Sequence, residues 1–402
     1  MPENLKLDLV YFNAGGGHRS AANALEAVIR STRPSWQVRL VNLQEILDSL
    51  DVFRRVTGIR LEDMYNLALA KGWTLASEYL LPLMHGVIRI YHPAQVKLLA
   101  RVWAERQPDM VVSVVPNFNR AMFESLSLSL PEVPLVTILT DMADYPPHFW
   151  IEKQRQYLIC GTDKAVRQAV EAGHERDRVF RSSGMILRPE FYDPQTTGRA
   201  EGLRKLGLNP DVPTGMVMFG GEGSSVMATI AERLGNSETK MQLIMICGKN
   251  EKIRQRVSAL RTRNEIHVEG FTKEIPHFMS LCDFFIGKPG PGSISEAMQM
   301  KLPVFVERNA WTLPQERYNA DWVTEQGVGV VLENFRSIDQ AVSSALANGE
   351  LSKMKTRAAA LDNRAVFEIP EILANIANLK PATDSARETA PGASRDRGAG
   401  ER

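Results

Sequence analysis

The sequence predicts an α/β protein built from two doubly wound, Rossmann-like parallel sheets. Three observations predict it. Short runs rich in Val, Ile and Leu recur along the chain, each followed by a glycine, proline or polar turn and then a helix-like segment, which is the pattern of buried parallel strands and their crossovers. The runs fall into two series, alike in architecture and unlike in sequence. Between them, residues 182–194 hold Gly184, Pro189 and Pro194 and lose periodicity, as a linker between sheets does.

The first series comprises 5–12, 38–43, 110–115, 135–139 and 156–160, a five- or six-stranded sheet. The second comprises 215–219, 242–247, 266–268, 283–286, 303–306 and 329–332. With the boundary near Arg188, the first domain is 1–187 and the second 188–365, followed by a short segment, 366–380. Residues 381–402 are dominated by Ala, Gly, Ser, Pro and charges, a composition that cannot offset the entropy of ordering, so a disordered tail is expected. An insertion of about 51–106 separates the second and third strands and is too long for one ordinary crossover helix. From Val52 to Arg106 it carries eight Lys or Arg against four Asp or Glu, interleaved with Phe53, Tyr65, Trp73, Tyr79, Tyr91 and Trp103. Basic and aromatic residues so mixed suit an anionic membrane surface. The plainer alternative is helices packed on the sheet with ordinary charged faces.

At 402 residues and 44% apolar positions the chain supports two or three domains with sizeable cores. Its 48 Lys plus Arg against 47 Asp plus Glu remove the strongest argument for a nucleic-acid partner, a basic excess. Cys160, Cys247 and Cys282 are too scattered for a disulfide framework or a Cys-x-x-Cys pair, and a reducing, cytosolic compartment fits them best. The amino end lacks a basic region followed by a long apolar core, so no signal peptide is expected. No run of about 18 apolar residues occurs, and membrane contact is expected to be peripheral. Nothing in the sequence speaks to oligomeric state.

Two glycine loops hold the chemistry. Asn13-Ala14-Gly15-Gly16-Gly17-His18-Arg19-Ser20 follows the first strand and opens a helix, at the rim where open α/β sheets bind ligands. Gly16 and Gly17 allow a ligand close to the backbone, and His18 is placed to act. The loop is not a G-x-G-x-x-G fingerprint, and no P-loop motif occurs, so dinucleotide and P-loop readings lose ground. Taken alone, it reads sooner as a tight strand-to-helix turn whose histidine caps the helix.

The second loop, Gly287-Lys288-Pro289-Gly290-Pro291-Gly292-Ser293-Ile294-Ser295-Glu296-Ala297, also leads from a strand into a helix. Free amides at a helix start stabilise a diphosphate, which makes a metal ion dispensable. Glu296, about one turn in, suits a ribose diol, since a carboxylate accepts from both hydroxyls; otherwise it is a capping residue. Gly220-Gly221-Glu222-Gly223 offers a weaker third loop, and Leu313-Pro314-Gln315-Glu316 with Asn319 supplies groups suited to sugar hydroxyls.

Taken together, these motifs resemble the monogalactosyldiacylglycerol synthase family of lipid glycosyltransferases, which includes processive diacylglycerol glycosyltransferases and is related to the peptidoglycan glucosaminyltransferase. The matching residues are Gly15-Gly16-Gly17-His18 with Ser20-Ala21, Thr140-Asp141 with Trp150, Ser183-Gly184 before Arg188-Pro189, Gly220-Gly221, Gly290-Pro291-Gly292 with Glu296-Ala297, and Pro314-Gln315-Glu316 with Asn319. Coverage is roughly residues 5 to 365. Two stretches depart from the family pattern, Pro289 and Tyr145-Pro146-Pro147-His148, so the resemblance defines the donor more closely than the acceptor.

The resemblance implies the GT-B fold, two Rossmann-like domains facing a cleft, and a UDP-sugar-dependent, inverting hexosyltransferase. Galactose or glucose would pass to diacylglycerol or a related lipid alcohol at the inner, cytoplasmic face of the cell membrane, to which the protein would be peripheral. No cofactor beyond the UDP-sugar co-substrate, and no metal, is implied. His18 would be the general base, with Asp141 the other candidate or the residue that orients it; a neutral imidazole suits this near pH 7. The uracil would lie near Phe271, the ribose on Glu296, the diphosphate on Gly221, Gly290, Pro291, Gly292 and Ser293, and the hexose on Gln315 and Glu316. Two other functions share the architecture. A UDP-sugar 2-epimerase finds no support in the histidine loop, and a non-catalytic nucleotide-sugar-binding protein has no need of His18 or Asp141.

Overall fold

The computed structural model describes residues 4–13, 17–48, 77–194 and 197–379, with side chains of the helix at 77–106 described from residue 90. Gly16, the insertion up to 76 and the expected disordered tail at 381–402 therefore lie outside the described residues.

The first sheet contains β1 (Lys6–Tyr11), β2 (Gln37–Asn42), β3 (Met110–Ser113), β4 (Leu135–Ile138), β5 (Tyr157–Cys160) and β6 (Val179–Arg181), in the order β2-β1-β3-β4-β5-β6. The second contains β7 (Thr214–Met218), β8 (Gln242–Ile246), β9 (Ile266–Glu269), β10 (Phe284–Gly287), β11 (Val304–Glu307) and β12 (Gly329–Leu332), in the order β12-β11-β10-β7-β8-β9. Every recorded pairing is parallel. Central strands such as β3, β4, β7 and β8 are buried at every position, because helices cover both faces, whereas the edge strands β9 and β12 are only half-buried. The strand order reverses direction between β1 and β3 and between β7 and β10. Each reversal opens a crevice at the carboxyl ends of the strands, where ligands of such sheets bind.

The helices that position the site are α1 (Gly17–Thr32), α2 (Ser77–Arg106), α3 (Asn119–Ser129), α4 (Asp163–Glu171), α5 (Pro291–Gln299), α6 (Pro314–Gln326) and α7 (Ala365–Asn378). Helix α2 is the carboxyl-terminal part of the insertion. Its last turns are anchored inward: Leu99 and Trp103 are fully buried, and the Trp103 indole donates to Ser125 Oγ at 2.8 Å. Arg106 Nε lies 2.7 Å from the buried Asp8 carboxylate, which also accepts from Arg39 Nε at 2.6 Å. One carboxylate thus ties β1 to the edge strand β2 and to α2, and a buried charge tolerates that position only because it is paired. Trp103 and Arg106, counted from sequence toward a membrane face, serve packing instead.

The short segment after 365 is the helix α7, and it returns to the first domain. Ala365, Ile369, Leu373, Ala374 and Ile376 enter the same core as Leu7, Leu25 and Ile29. The chain therefore crosses between sheets twice, and the crossings bond to each other: Ser183 N–H donates to Glu368 Oε2 at 2.7 Å and Asn363 Nδ2 to the Met185 carbonyl at 2.9 Å. A core containing Met142, Ala143 and Met185 on one side and Ile294, Met298 and Tyr318 on the other joins the domains below the cleft. Among the described residues, no helix is long and apolar enough to cross a membrane.

Candidate active site

Helix α1 begins at Gly17, so His18 sits in its first turn at the end of β1. Its Nδ1 lies 3.1 Å from Thr140 Oγ1, which follows β4. The ring is enclosed deeply enough that burial pushes its pKa down to about 4, against a smaller opposing effect of a hydrogen bond with the Val114 backbone. At neutral pH the imidazole is uncharged, the form a proton acceptor needs.

Asp141 does not contact the imidazole through a recorded hydrogen bond. Its Oδ2 accepts from the Trp150 indole N–H at 2.8 Å, and the Trp150 ring centroid lies 5.8 Å from that of His18. The indole therefore bonds to one candidate group and neighbours the other. Burial raises the Asp141 pKa to about 7; the Trp150 hydrogen bond opposes this, Glu316 and Asp144 add to it, and Lys288 lowers it. Glu316 and Lys288 belong to the second domain, so the first domain's acid feels the other wall of the cleft.

On that wall, α5 starts directly after the β10 loop, with Gly290 as its N-cap and Pro291 at its first position. Proline there preorganises the turn, and the amides of Gly292 and Ser293 are left for an outside acceptor. A Cβ added at Gly292 would meet nothing within 4 Å. Neither a turn nor close packing requires glycine at that position, and the lack of a side chain leaves open space beside its backbone. Gly221 is similarly open, its nearest neighbour being the Phe271 ring at 4.0 Å, and Phe271 is 57% exposed.

Glu296 lies on α5, with its carboxyl pKa raised by burial to about 7 and only Arg188 acting against this. Glu316 is buried near the start of α6 and accepts from Lys288 Nζ at 3.1 Å, so this pair closes the floor beside Gly290. Gln315 precedes it on the same turn. The Asn319 side chain donates to the Pro289 carbonyl at 2.8 Å and so fixes the loop that launches α5. Among the described residues, no group of three or more His, Cys, Asp or Glu is placed to hold a metal ion.

The structure thus brings His18, Asp141, Glu316 and the start of α5 to one cleft, with Gly221 and Phe271 at the end of the neighbouring strand loop. Sequence reasoning passed over Asp144, Gln168 and Gly248. Gly248, with φ +60°, backs the Gly221 loop so closely that a Cβ would lie 2.3 Å from the Gly221 carbonyl oxygen. The clue was a glycine directly after the buried strand β8.

A two-domain protein of the GT-B class is what this fold and cleft define. Among solved structures it is similar to the Acinetobacter baumannii MurG (TM-score 0.60, 11% identity, 93% of this chain and all of that one). It is also similar to a Staphylococcus aureus MnaA–UDP complex (TM-score 0.58, 16% identity, 92% and 96% covered). Residues 18–182 match the monogalactosyldiacylglycerol (MGDG) synthase family and residues 216–374 the glycosyltransferase family 28 C-terminal domain. The chloroplastic monogalactosyldiacylglycerol synthase of Spinacia oleracea is 27% identical over 372 residues, 85% of this chain; the chain spans 66% of that relative's length. Over both domains the chain is thus similar to monogalactosyldiacylglycerol synthases, with its amino-terminal domain matching that family directly.

Proposed function

We propose that this protein is an inverting glycosyltransferase that moves a hexose, galactose or glucose, from a UDP-sugar to diacylglycerol or a related lipid alcohol. The observation that carries this reading is the opposition of two unlike walls across one cleft. One holds a neutral imidazole beside a buried acid; the other holds an open helix start and a buried glutamate. Relatives named monogalactosyldiacylglycerol synthases and a similarly folded UDP complex support it.

In this reading the uracil rests near Phe271, the ribose hydroxyls donate to Glu296, and the diphosphate meets Gly221 and the amides of Gly292 and Ser293. Gln315 and Glu316 face the hexose. The acceptor hydroxyl attacks the anomeric carbon and gives its proton to His18. As the new C–O bond forms, the bond to UDP breaks and its electron pair passes to the diphosphate, where the α5 amides offset the developing charge without a metal. Asp141, ionised above about pH 7, supplies the negative charge that favours the imidazolium. Because diacylglycerol stays in its bilayer, the protein works at a membrane surface. We assign this to the inner, cytoplasmic face, with contact through the insertion, whose exposed cations include Lys97 and Arg101.

Labelled UDP-galactose and UDP-glucose incubated with anionic or neutral vesicles containing diacylglycerol, with and without a chelator, test the reading. A labelled glycolipid of inverted anomeric configuration, chelator-resistant and made faster on anionic vesicles, is expected. Release of free hexose or an epimerised UDP-sugar alone would contradict transfer. Chelator sensitivity reversed by manganese would contradict the metal-free step, and indifference to lipid charge the anionic contact.

A further inference from the structure

We propose that Asp144 is a positioning residue for this reaction: its carboxylate fixes the backbone of Trp150, and Trp150 holds Asp141 in place beside His18. The proposal rests on the transferase reading above and adds a residue that touches neither substrate.

Asp144 is buried, 5% exposed, and among the recorded ion pairs of the described residues it has no cationic partner. Its carboxylate is instead spent on backbone. Oδ1 accepts from the Trp150 N–H at 2.6 Å and the Ile151 N–H at 3.3 Å, and Oδ2 accepts from the His148 N–H at 2.9 Å. A carboxylate that collects several backbone amides folds a loop around itself, as an Asx turn does on a smaller scale. Gln168 of α4 grips the same residue from outside, accepting from the Asp144 N–H at 2.9 Å and donating to its carbonyl at 3.0 Å. On the other side, the fully buried Asn119 donates from Nδ2 to the Trp150 carbonyl at 3.3 Å.

Trp150 is thereby held at its N–H and its carbonyl, and its ring is fully buried. Its indole N–H meets Asp141, and the ring lies beside His18. A buried carboxylate is costly unless it is hydrogen-bonded, and here the amides of His148, Trp150 and Ile151 supply those bonds. The groups that face Asp141 are the Trp150 indole, Asp144 from its own loop, and Lys288 and Glu316 from across the cleft. Asp144 thus also adds a negative charge near Asp141, whereas the indole hydrogen bond favours ionised Asp141. Removing the indole therefore raises the pH at which Asp141 titrates, whereas removing Asp144 takes away a charge and loosens the indole, two effects of opposite sign.

Protein labelled with 15N-tryptophan supplies a readout independent of activity, with Trp150→Phe assigning the Trp150 indole signal. In the parent, that signal should titrate with a midpoint near 7. In Asp144→Asn the Trp150 indole signal should be displaced from its parent position, and kcat for hexose transfer should fall ~10- to 100-fold, as a small misplacement of reacting groups does, while UDP affinity by calorimetry stays within about twofold. In Trp150→Phe the acid limb of the rate profile should move to higher pH, with kcat again reduced and UDP affinity kept. Gln168→Ala loosens the same loop without a charge change; it should lower kcat, displace the indole signal and move its midpoint to higher pH as the indole hydrogen bond to Asp141 weakens, which keeps the test open if Asp144→Asn does not fold. Parent-like kcat in both loop variants, an indole that does not titrate, or kcat and UDP affinity falling together would overturn the proposal. A parent that transfers no hexose while its indole titrates as described overturns the transferase reading alone, since the titration still supports the chain from Asp144 to Asp141.

Discussion

Two carboxyl groups, Asp141 and Glu296, are held near neutrality by burial, each with its pKa pushed up to about 7. Such groups cost stability. An acid whose folded pKa exceeds its unfolded value binds its proton more tightly in the native state, so stability falls as pH rises from about 4 through about 7. Below the unfolded pKa both states are protonated and the cost vanishes. Asp141→Asn, which keeps an acceptor for the Trp150 indole, should therefore melt higher than the parent at pH 8, by a gain on the order of 1 kcal/mol or more, about 1 °C for each kcal/mol in a chain of this length. At pH 4 the two should melt together. Calorimetric melting at both pH values checks this; an equal gain at both would mean that packing, not ionisation, sets the difference. His18 behaves differently: its lowered pKa means a neutral ring throughout the working range, with no switch near pH 7.

At the scale of elements, the start of α5 is where binding and folding requirements separate. Gly292 has open space where a side chain would be, so Gly292→Val should fold as the parent does and yet obstruct the diphosphate. Glu296→Ala should weaken UDP ~10- to 100-fold, the loss of a hydrogen-bonded charged acceptor. Calorimetry with UDP on the two variants measures both, and unchanged affinity in either would move the nucleotide elsewhere. Strands were legible from sequence where they are buried on both faces, because β7 and β8 are uninterrupted apolar runs. Strand β6, the three residues Val179–Arg181 ending in an exposed arginine, carries no such run and is not legible from sequence. Helix α7 was legible as a segment, but its destination was not, because an apolar helical face does not say which domain will cover it.

Across the whole molecule, the limits of sequence reading follow distance along the chain. His18 and the α5 loop announce themselves, since a glycine-rich turn directly after a strand is a local pattern. Asp144 is silent, for its partners are backbone amides, which every residue has. Lys288 and Glu316 stand far from Asp141 in sequence, and only the closure of two sheets on one cleft makes them neighbours. That closure is maintained by the shared core around Met142 and Tyr318 and by the paired crossings at Ser183 and Asn363. Division of labour between the walls is the account's central claim: proton transfer on the first domain, nucleotide on the second. Its most direct test compares His18→Ala with the parent in two measurements on the same preparation, the rate of hexose transfer to diacylglycerol and the Kd for UDP. The account predicts transfer slower by ~10²- to 10⁴-fold, the usual cost of removing a general base, with UDP affinity unchanged. Parent-like transfer, or a matching loss of UDP affinity, would contradict it.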